Sequence, residues 1–379
     1  DEWLIFGPKG REFELEFSKQ LGRSDGVLVN SGSSANLLMV AAAKQLYAWS
    51  DHDKIITPVV CFPTTLNPII QNNLTPVFVD STLPSLNLDL DDVERKLKED
   101  PNIRGIMFAH VLGNPPDMER LMDLVREYEL IFLEDACDAL GSTYNSAKLG
   151  SFGHLSTCSF FPAHHMTLGE GGFVSSKLPK GRRLLSSLRD WGRACYCNTK
   201  KPGNVTEGTA CGYRFGNWLP GKREAIYDHR YVFDNIGYNL KPLELQACMG
   251  LEQIKKLPIM DEKRRENHAK FLNIFRKYDK YFYLPEAQPN SDPCWFAFLL
   301  TIKENAPFDR EEIVGFLEEN KIQTRSYFCG NVLYHPAYNY MVESSVSLKE
   351  MYPTADLVTM NSFFLGTFAG ITEEKISYI

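Results

Sequence analysis

The sequence predicts an α/β protein: a large domain with a mixed or parallel sheet over residues 1–240, and a smaller α+β domain over 241–379. Three observations carry this. From about residue 27 to 190 short apolar runs alternate with helical stretches, the pattern of strand–helix–strand units. A glycine- and proline-rich segment then breaks the rhythm, and a second, shorter alternation follows it. The length of 379 residues, 44% of them hydrophobic, also exceeds what one small core requires.

Residues 26–30 read as the first strand, Ser33 to Leu46 as a helix and Lys54 to Pro58 as the next strand. Strands at Thr75 to Asp80, Ile103 to Ala109 and Leu130 to Asp135 continue a parallel series. Residues 195–235 carry Gly203, Gly208, Gly212, Gly216 and Gly221 with Pro202 and Pro220, and read as a long functional loop of the large domain. A helical stretch spans Leu243 to Ile274 and links the domains. The small domain runs from about Phe282, with Trp295 to Leu300 as a strand and Arg310 to Asn320 as a helix.

A net charge of -7 without a long basic run predicts neither a nucleic-acid nor a membrane partner; small molecules and other proteins are the expected ones. No stretch approaches the roughly 18 apolar residues of a membrane span, and no signal peptide precedes the first motif, so the expected compartment is the cytoplasm. The abrupt opening Asp1-Glu2-Trp3 suggests that a further N-terminal segment precedes it. Nine cysteines in that compartment are reduced thiols, metal ligands or both.

Ser31-Gly32-Ser33-Ser34-Ala35-Asn36 sits between a strand and a helix, where unpaired amides and the helix dipole favour a phosphate. An ordinary helix cap reads the same way. Glu134-Asp135 closes an apolar strand at the sheet's carboxyl edge, where open α/β sheets bind ligands. Asp135 there suits a protonated ring nitrogen, a loop carboxylate or a cap. The third motif is Ser159-Phe160-Phe161-Pro162-Ala163-His164-His165, followed by Gly169-Glu170-Gly171-Gly172.

The order of these motifs, continued by Gly237-Tyr238-Asn239-Leu240-Lys241, resembles the DegT/DnrJ/EryC1/StrS sugar aminotransferases over most of the chain. That resemblance implies the type I fold of enzymes using pyridoxal 5′-phosphate (PLP), also known as the aspartate aminotransferase fold. It implies that Ser33, Ser34 and Ser159 hold the cofactor phosphate, that Phe62 stacks on the pyridine ring and that Asp135 pairs with the ring nitrogen. Asn239 matches a residue lent to the neighbouring subunit's phosphate, so a homodimer is implied as well.

His164 stands where the family carries the lysine that binds PLP covalently. Histidine cannot form that bond, yet with an ordinary pKa near 6.5 it can take a proton. The cofactor is then expected to be held non-covalently as the amine form, pyridoxamine 5′-phosphate (PMP), with His164 as general base. Asp138 contacts the cofactor or His164, or makes a structural pair on the strand edge. The Pro162-Ala163-His164-His165 segment resembles the 3-dehydratases of this family, which remove the C3 hydroxyl of nucleotide-linked 4-keto-6-deoxyhexoses. Trp191, Arg193 and Arg325 are the expected substrate contacts.

Two branches share the histidine: a cluster-free one that recharges PMP from glutamate, and one with a two-iron two-sulfur (2Fe-2S) cluster fed by a reductase. Between Cys137 and Cys195 lie 57 residues, then one before Cys197, which resembles the iron-sulfur branch of CDP-4-keto-6-deoxyglucose 3-dehydrases. Cys211 follows after 13 residues where that branch has seven, consistent with an insertion of six. The resemblance therefore implies a 2Fe-2S cluster on Cys137, Cys195, Cys197 and Cys211, with a flavin or iron-sulfur reductase, ferredoxin or flavodoxin as electron donor. Tyr227 to Tyr231, Ser291 to Phe296 and Thr324-Arg325 agree with the same branch, whereas Phe161 replaces its tyrosine. Cys61, Cys158, Cys248, Cys294 and Cys329 read as packing residues.

Overall fold

A computed structural model describes residues 4–194, 215–219, 221, 222, 224, 226–343 and 345–379. The large layer is built on strands β1 (Val27–Val29), β2 (Lys54–Pro58), β3 (Thr75–Val79), β4 (Ile103–Ala109) and β5 (Ile131–Asp135). A short hairpin, β6 (Thr143–Tyr144) and β7 (Ala147–Lys148), precedes two further sheet strands, β8 (Leu155–Ser159) and β9 (Gly172–Ser176). The main sheet has the order β1-β9-β8-β5-β4-β2-β3.

The series is parallel except at β9, which runs antiparallel to both β1 and β8. The sheet is therefore mixed, one of the two forms expected for the large domain. Its cause is local: the chain from Phe160 to Gly171 turns back on itself, where a parallel return needs a crossover. β8 is also a strand that apolar runs do not reveal. Its Leu-Ser-Thr-Cys-Ser is buried throughout, because its hydroxyls find partners. Ser156 Oγ lies 2.9 Å from Ser175 Oγ, and Thr157 Oγ1 donates to Asn36 Oδ1 at 2.6 Å.

Helices α1 (Pro8–Ser18), α2 (Gly32–Leu46), α3 (Pro63–Gln71), α4 (Leu90–Glu99), α5 (Met118–Glu127) and α6 (Pro179–Arg189) cover the sheet. On one face Leu38, Met39 and Val40 of α2 pack with Met107, Leu133 and Leu155. On the other, Val93, Leu121 and Val125 pack with Ile56, Phe108 and Phe132. Both faces are thus buried, as parallel strands require.

Farther on, β10 (Phe215–Gly216) and β11 (Tyr227–Asp228) form a small ribbon. The expected single helix from 243 to 274 is two helices, α7 (Glu244–Ile254) and α8 (Leu257–Phe275). Pro258 is the reason: it fits the first turn of a helix but not its interior. The remaining strands are β12 (Phe282–Tyr283), β13 (Ser291–Asp292), β14 (Ala297–Ile302), β15 (Thr324–Ser326) and β16 (Ser362–Gly366), and α9 spans Arg310–Glu319. The small antiparallel sheet has the order β12-β14-β16-β15.

Ala247 of α7 and Leu257 at the start of α8 share a core with Phe13, Phe17, Phe160 and Met166. At the far end of α8, Phe271 and Phe275 pack with Phe298, Leu300 and Phe363 of the small sheet. One helix therefore joins two cores. Strand β14 begins two residues later than its apolar run suggested, since Trp295 and Phe296 leave the sheet. Trp295 stacks on His268, with ring centroids 3.9 Å apart, and Phe296 turns towards His164.

Candidate active site

Ser31 caps α2, its Oγ accepting from the Ser34 amide at 3.1 Å. A side chain on Gly32 would place its Cβ 2.5 Å from the Ser159 Cβ, and one on Gly172 would come within 2.1 Å of the Ser31 carbonyl oxygen. Only glycine permits this approach, which sets Ser159 at the end of β8 beside the start of α2. Ser33 and Ser34 lie in that first turn, so the three serines expected at a phosphate surround one helix N-terminus.

One turn along α2, Asn36 donates Nδ2 to Asp135 Oδ2 at 2.7 Å. Thr65 Oγ1 donates to the same oxygen at 3.1 Å, and the Cys137 amide donates to Asp135 Oδ1 at 3.1 Å. Thr157 in turn holds the Asn36 carbonyl oxygen. Asp135 is thereby fixed about one helical turn from the serines. The Asn36 amide also donates to the Thr64 carbonyl, which draws the start of α3 alongside, and half-exposed Phe62 caps that helix with its ring 6.1 Å from Phe328. A serine-lined helix start, a fixed carboxylate and an available aromatic face suit the phosphate, ring nitrogen and ring of PLP or PMP.

His164 sits in a turn closed by its own amide, which donates to the Phe161 carbonyl at 3.0 Å. Its Nδ1 lies 3.3 Å from Asp138 Oδ1, within ion-pair reach, but makes no hydrogen bond. The ring rests on Phe296, centroid to centroid 5.2 Å. His165 has a different surrounding. It is buried, its Nε2 lies 2.7 Å from the Cys294 carbonyl oxygen, and burial followed by the nearby Arg264 charge pushes its pKa well below the usual imidazole value. His165 is thus a neutral buried ring, and His164 is the member of the pair at the candidate site.

Trp191, Arg193 and Asn239 form a second group. Trp191 adopts a left-handed backbone, φ 61°, with its amide donating to the Tyr238 carbonyl at 2.7 Å. Arg193 and Lys241 both lie over its ring, 4.7 Å and 3.1 Å from the centroid, and Lys241 donates to Asn239 Oδ1 at 2.8 Å. The neighbouring Leu240 carbonyl accepts from the Asn30 amide, which ties the group to the strand leading into α2. Arg325 is not part of it: exposed on β15, its Nη1 donates to the adjacent Thr324 carbonyl.

Of the four expected cluster ligands, Cys137 alone is among the described residues; Cys195, Cys197 and Cys211 lie outside them. Burial and the Asp135 carboxylate push the Cys137 thiol pKa upward. Among the described residues, no group of three or more His, Cys, Asp or Glu is placed to hold a metal ion. Cys61, Cys158 and Cys294 are buried, as expected for packing residues, but Cys248 is exposed: it lies on the outer side of α7.

Sequence reading missed Asn36, Thr65, Thr157, Lys241 and Phe296. Asn36 left one trace, a lone amide within the apolar face of α2. Lys241 stood inside the Gly-Tyr-Asn-Leu-Lys motif without a role.

The fold and the site define a PLP-type enzyme of fold type I. The chain matches the DegT/DnrJ/EryC1/StrS aminotransferase family over residues 1–379, and it belongs to that family. It is 40% identical over 381 residues to a dTDP-4-dehydro-2,6-dideoxy-D-glucose 3-dehydratase of Saccharopolyspora spinosa, covering 99% of this chain and 79% of the relative. It is 38% identical to a lipopolysaccharide biosynthesis protein of Salmonella typhimurium, covering 100% and 85%. A solved GDP-4-keto-6-deoxymannose-3-dehydratase with a trapped PLP-glutamate geminal diamine superposes with a TM-score of 0.84 at 28% identity, covering 99% and 92%. None of these likenesses carries the iron-sulfur branch to this chain.

Among the described residues, no helix is long and apolar enough to cross a membrane.

Proposed function

We propose that this protein is a 3-dehydratase of nucleotide-linked 4-keto-6-deoxysugars that works with non-covalent PMP. The observation that carries the reading is His164 in the place of the family lysine, beside Asp138 and on the same sheet edge as Asp135. Bound there, the cofactor supplies an electron sink that lets a C–O bond break next to the former ketone carbon. Ser33, Ser34 and Ser159 hold its phosphate, Asp135 keeps its ring nitrogen protonated and Phe62 covers one ring face. His164 Nδ1 faces Asp138, which leaves Nε2 to take the proton. Trp191, Arg193 and Arg325 contact the nucleotide sugar.

A homodimer fits the surface. Ile236 is 97% exposed, and Phe233, Leu243 and Leu245 nearby in the chain are exposed too, an apolar run on either side of Asn239. Covered by a second copy, that run brings Asn239 to the partner's phosphate.

Two routes renew the cofactor. The glutamate route, without a cluster, is favoured by the structural relative whose trapped adduct joins PLP to glutamate. The iron-sulfur route rests on one observation, the spacing of Cys137, Cys195, Cys197 and Cys211. A cluster there needs a reductase as partner.

Protein purified without oxygen, assayed for iron and sulfide and supplied with PMP and a CDP-, dTDP- or GDP-linked 4-keto-6-deoxyhexose, tests both levels. Loss of the C3 hydroxyl supports the proposed reaction; turnover sustained by glutamate in iron-free protein selects the first route, and stoichiometric iron with an EPR signal selects the second. Transfer of an amino group with C3 intact, through a lysine trapped by borohydride, would overturn the proposal.

A further inference from the structure

We infer that Arg264 of α8 is a positioning residue for His164: one buried guanidinium holds the histidine's backbone and the wall on which its ring rests. Arg264 is buried. Its Nη2 donates to the His164 carbonyl at 3.2 Å, and its Nη1 donates to the Phe296 carbonyl at 3.1 Å and reaches the Trp295 carbonyl at 3.4 Å. Phe296 is the residue whose ring packs against the His164 imidazole. A single side chain therefore fixes both surfaces that determine where the imidazole sits.

The His164 ring needs such a hold. Asp138 lies 3.3 Å from Nδ1 without a hydrogen bond, so the carboxylate does not lock the ring by itself. Backbone and packing must do so. Arg264 is also an expensive way merely to join two segments. Among the described residues it has no ion pair, and burial pulls its pKa below the usual guanidinium value despite the opposing influence of Cys294, Asp261 and Asp138. A buried cation with only carbonyl acceptors costs more than an apolar contact of the same volume. What the fork supplies is direction: its donors meet carbonyls from the large domain's histidine turn and from the entry to β14, two segments 132 residues apart at His164 and Phe296. His165 strengthens the same seam through the Cys294 carbonyl.

The inference rests on the proposed role of His164 as base, so its test includes a readout independent of turnover. Cofactor-free protein with labelled histidine and phenylalanine rings gives a nuclear Overhauser contact between His164 and Phe296, identified by its absence in His164→Asn. In Arg264→Lys, which keeps the charge but not the fork, that contact is expected to vanish. With PMP and sugar, KM and cofactor affinity stay within about twofold while kcat falls about 10- to 100-fold, the loss typical of a displaced catalytic group. Phe296→Leu reproduces part of the loss, and the double variant is little worse than Arg264→Lys alone, because both act through one wall. A folded Arg264→Lys that keeps the ring contact, keeps kcat within twofold or loses only KM overturns the inference. If wild-type protein dehydrates no sugar, the proposed function fails and the ring contact still decides the role of Arg264.

Discussion

Two acid–histidine pairs sit on the carboxyl side of this sheet, and they are built for opposite ends. His110 Nε2 lies 3.0 Å from Glu134 Oε1, with both side chains wholly buried. Glu134 also accepts from the amides of Gly150 at 2.6 Å and Gly153 at 2.7 Å, with Arg23 3.9 Å away. Its carboxylate has no room to change partner. His164 and Asp138 likewise set an imidazole against a carboxylate, here at 3.3 Å, with the imidazole partly open and no hydrogen bond between them. The filled Glu134 carboxylate marks the structural pair, although His110 Nδ1 is as unpartnered as His164 Nδ1, and the Asp138 carboxylate, unbonded to its histidine, marks the pair available for chemistry.

Replacing one member in each pair breaks or sharpens that contrast. The largest effect is expected from His164→Asn. Asparagine fills similar space but takes no proton, so dehydration should fall by about 10³-fold, equivalent to roughly 4 kcal/mol of barrier, while PMP binding and melting temperature hold. Single-turnover kinetics with spectrophotometric titration of the cofactor measures both. A variant within tenfold of wild type would place the base elsewhere.

Glu134→Gln should do the reverse. It removes the charge that faces buried His110 and Arg23, and breaking such a network costs about 3 kcal/mol of stability. Activity per folded molecule should change little. The pH dependence carries the sign: burial alone would raise the Glu134 pKa, but the His110 hydrogen bond and charge, Arg23 and the Gly153 amide together bring it below the usual carboxylate value. Its contribution is present above the unfolded value, about 4.3, and is lost as pH falls through the lower folded value. Urea midpoints of wild type and variant should therefore differ most near neutrality and converge in acid. Parallel curves at all pH values would contradict the saturated-pair account.

How far each pair was legible in the sequence follows from how it is made. Asp135 and Glu134 end an apolar strand, and His164 stands at a fixed distance from Ser159 and Gly169 to Gly172, so local pattern and motif order marked them. His110 and Arg23 escaped, since a buried network is assembled from four separate stretches of chain. Arg264 meets His164 only because α8 crosses from one core to the other. β8 stayed hidden because its polar side chains are satisfied by Asn36 and Ser175, neighbours that only the folded sheet supplies.

The smallest expected effect, from Asp138→Asn, is also the most discriminating. Asp138 is buried beside His164 but makes no hydrogen bond to it, so losing its charge should leave stability within about 1 kcal/mol of wild type. What it supplies is an acceptor facing Nδ1, which leaves Nε2 as the nitrogen that takes the proton. That preference is worth about tenfold in kcat, or roughly 1.4 kcal/mol, with KM unchanged. If the variant instead melts as early as Glu134→Gln while its folded fraction stays fully active, Asp138 belongs with the saturated pair and His164 works without it.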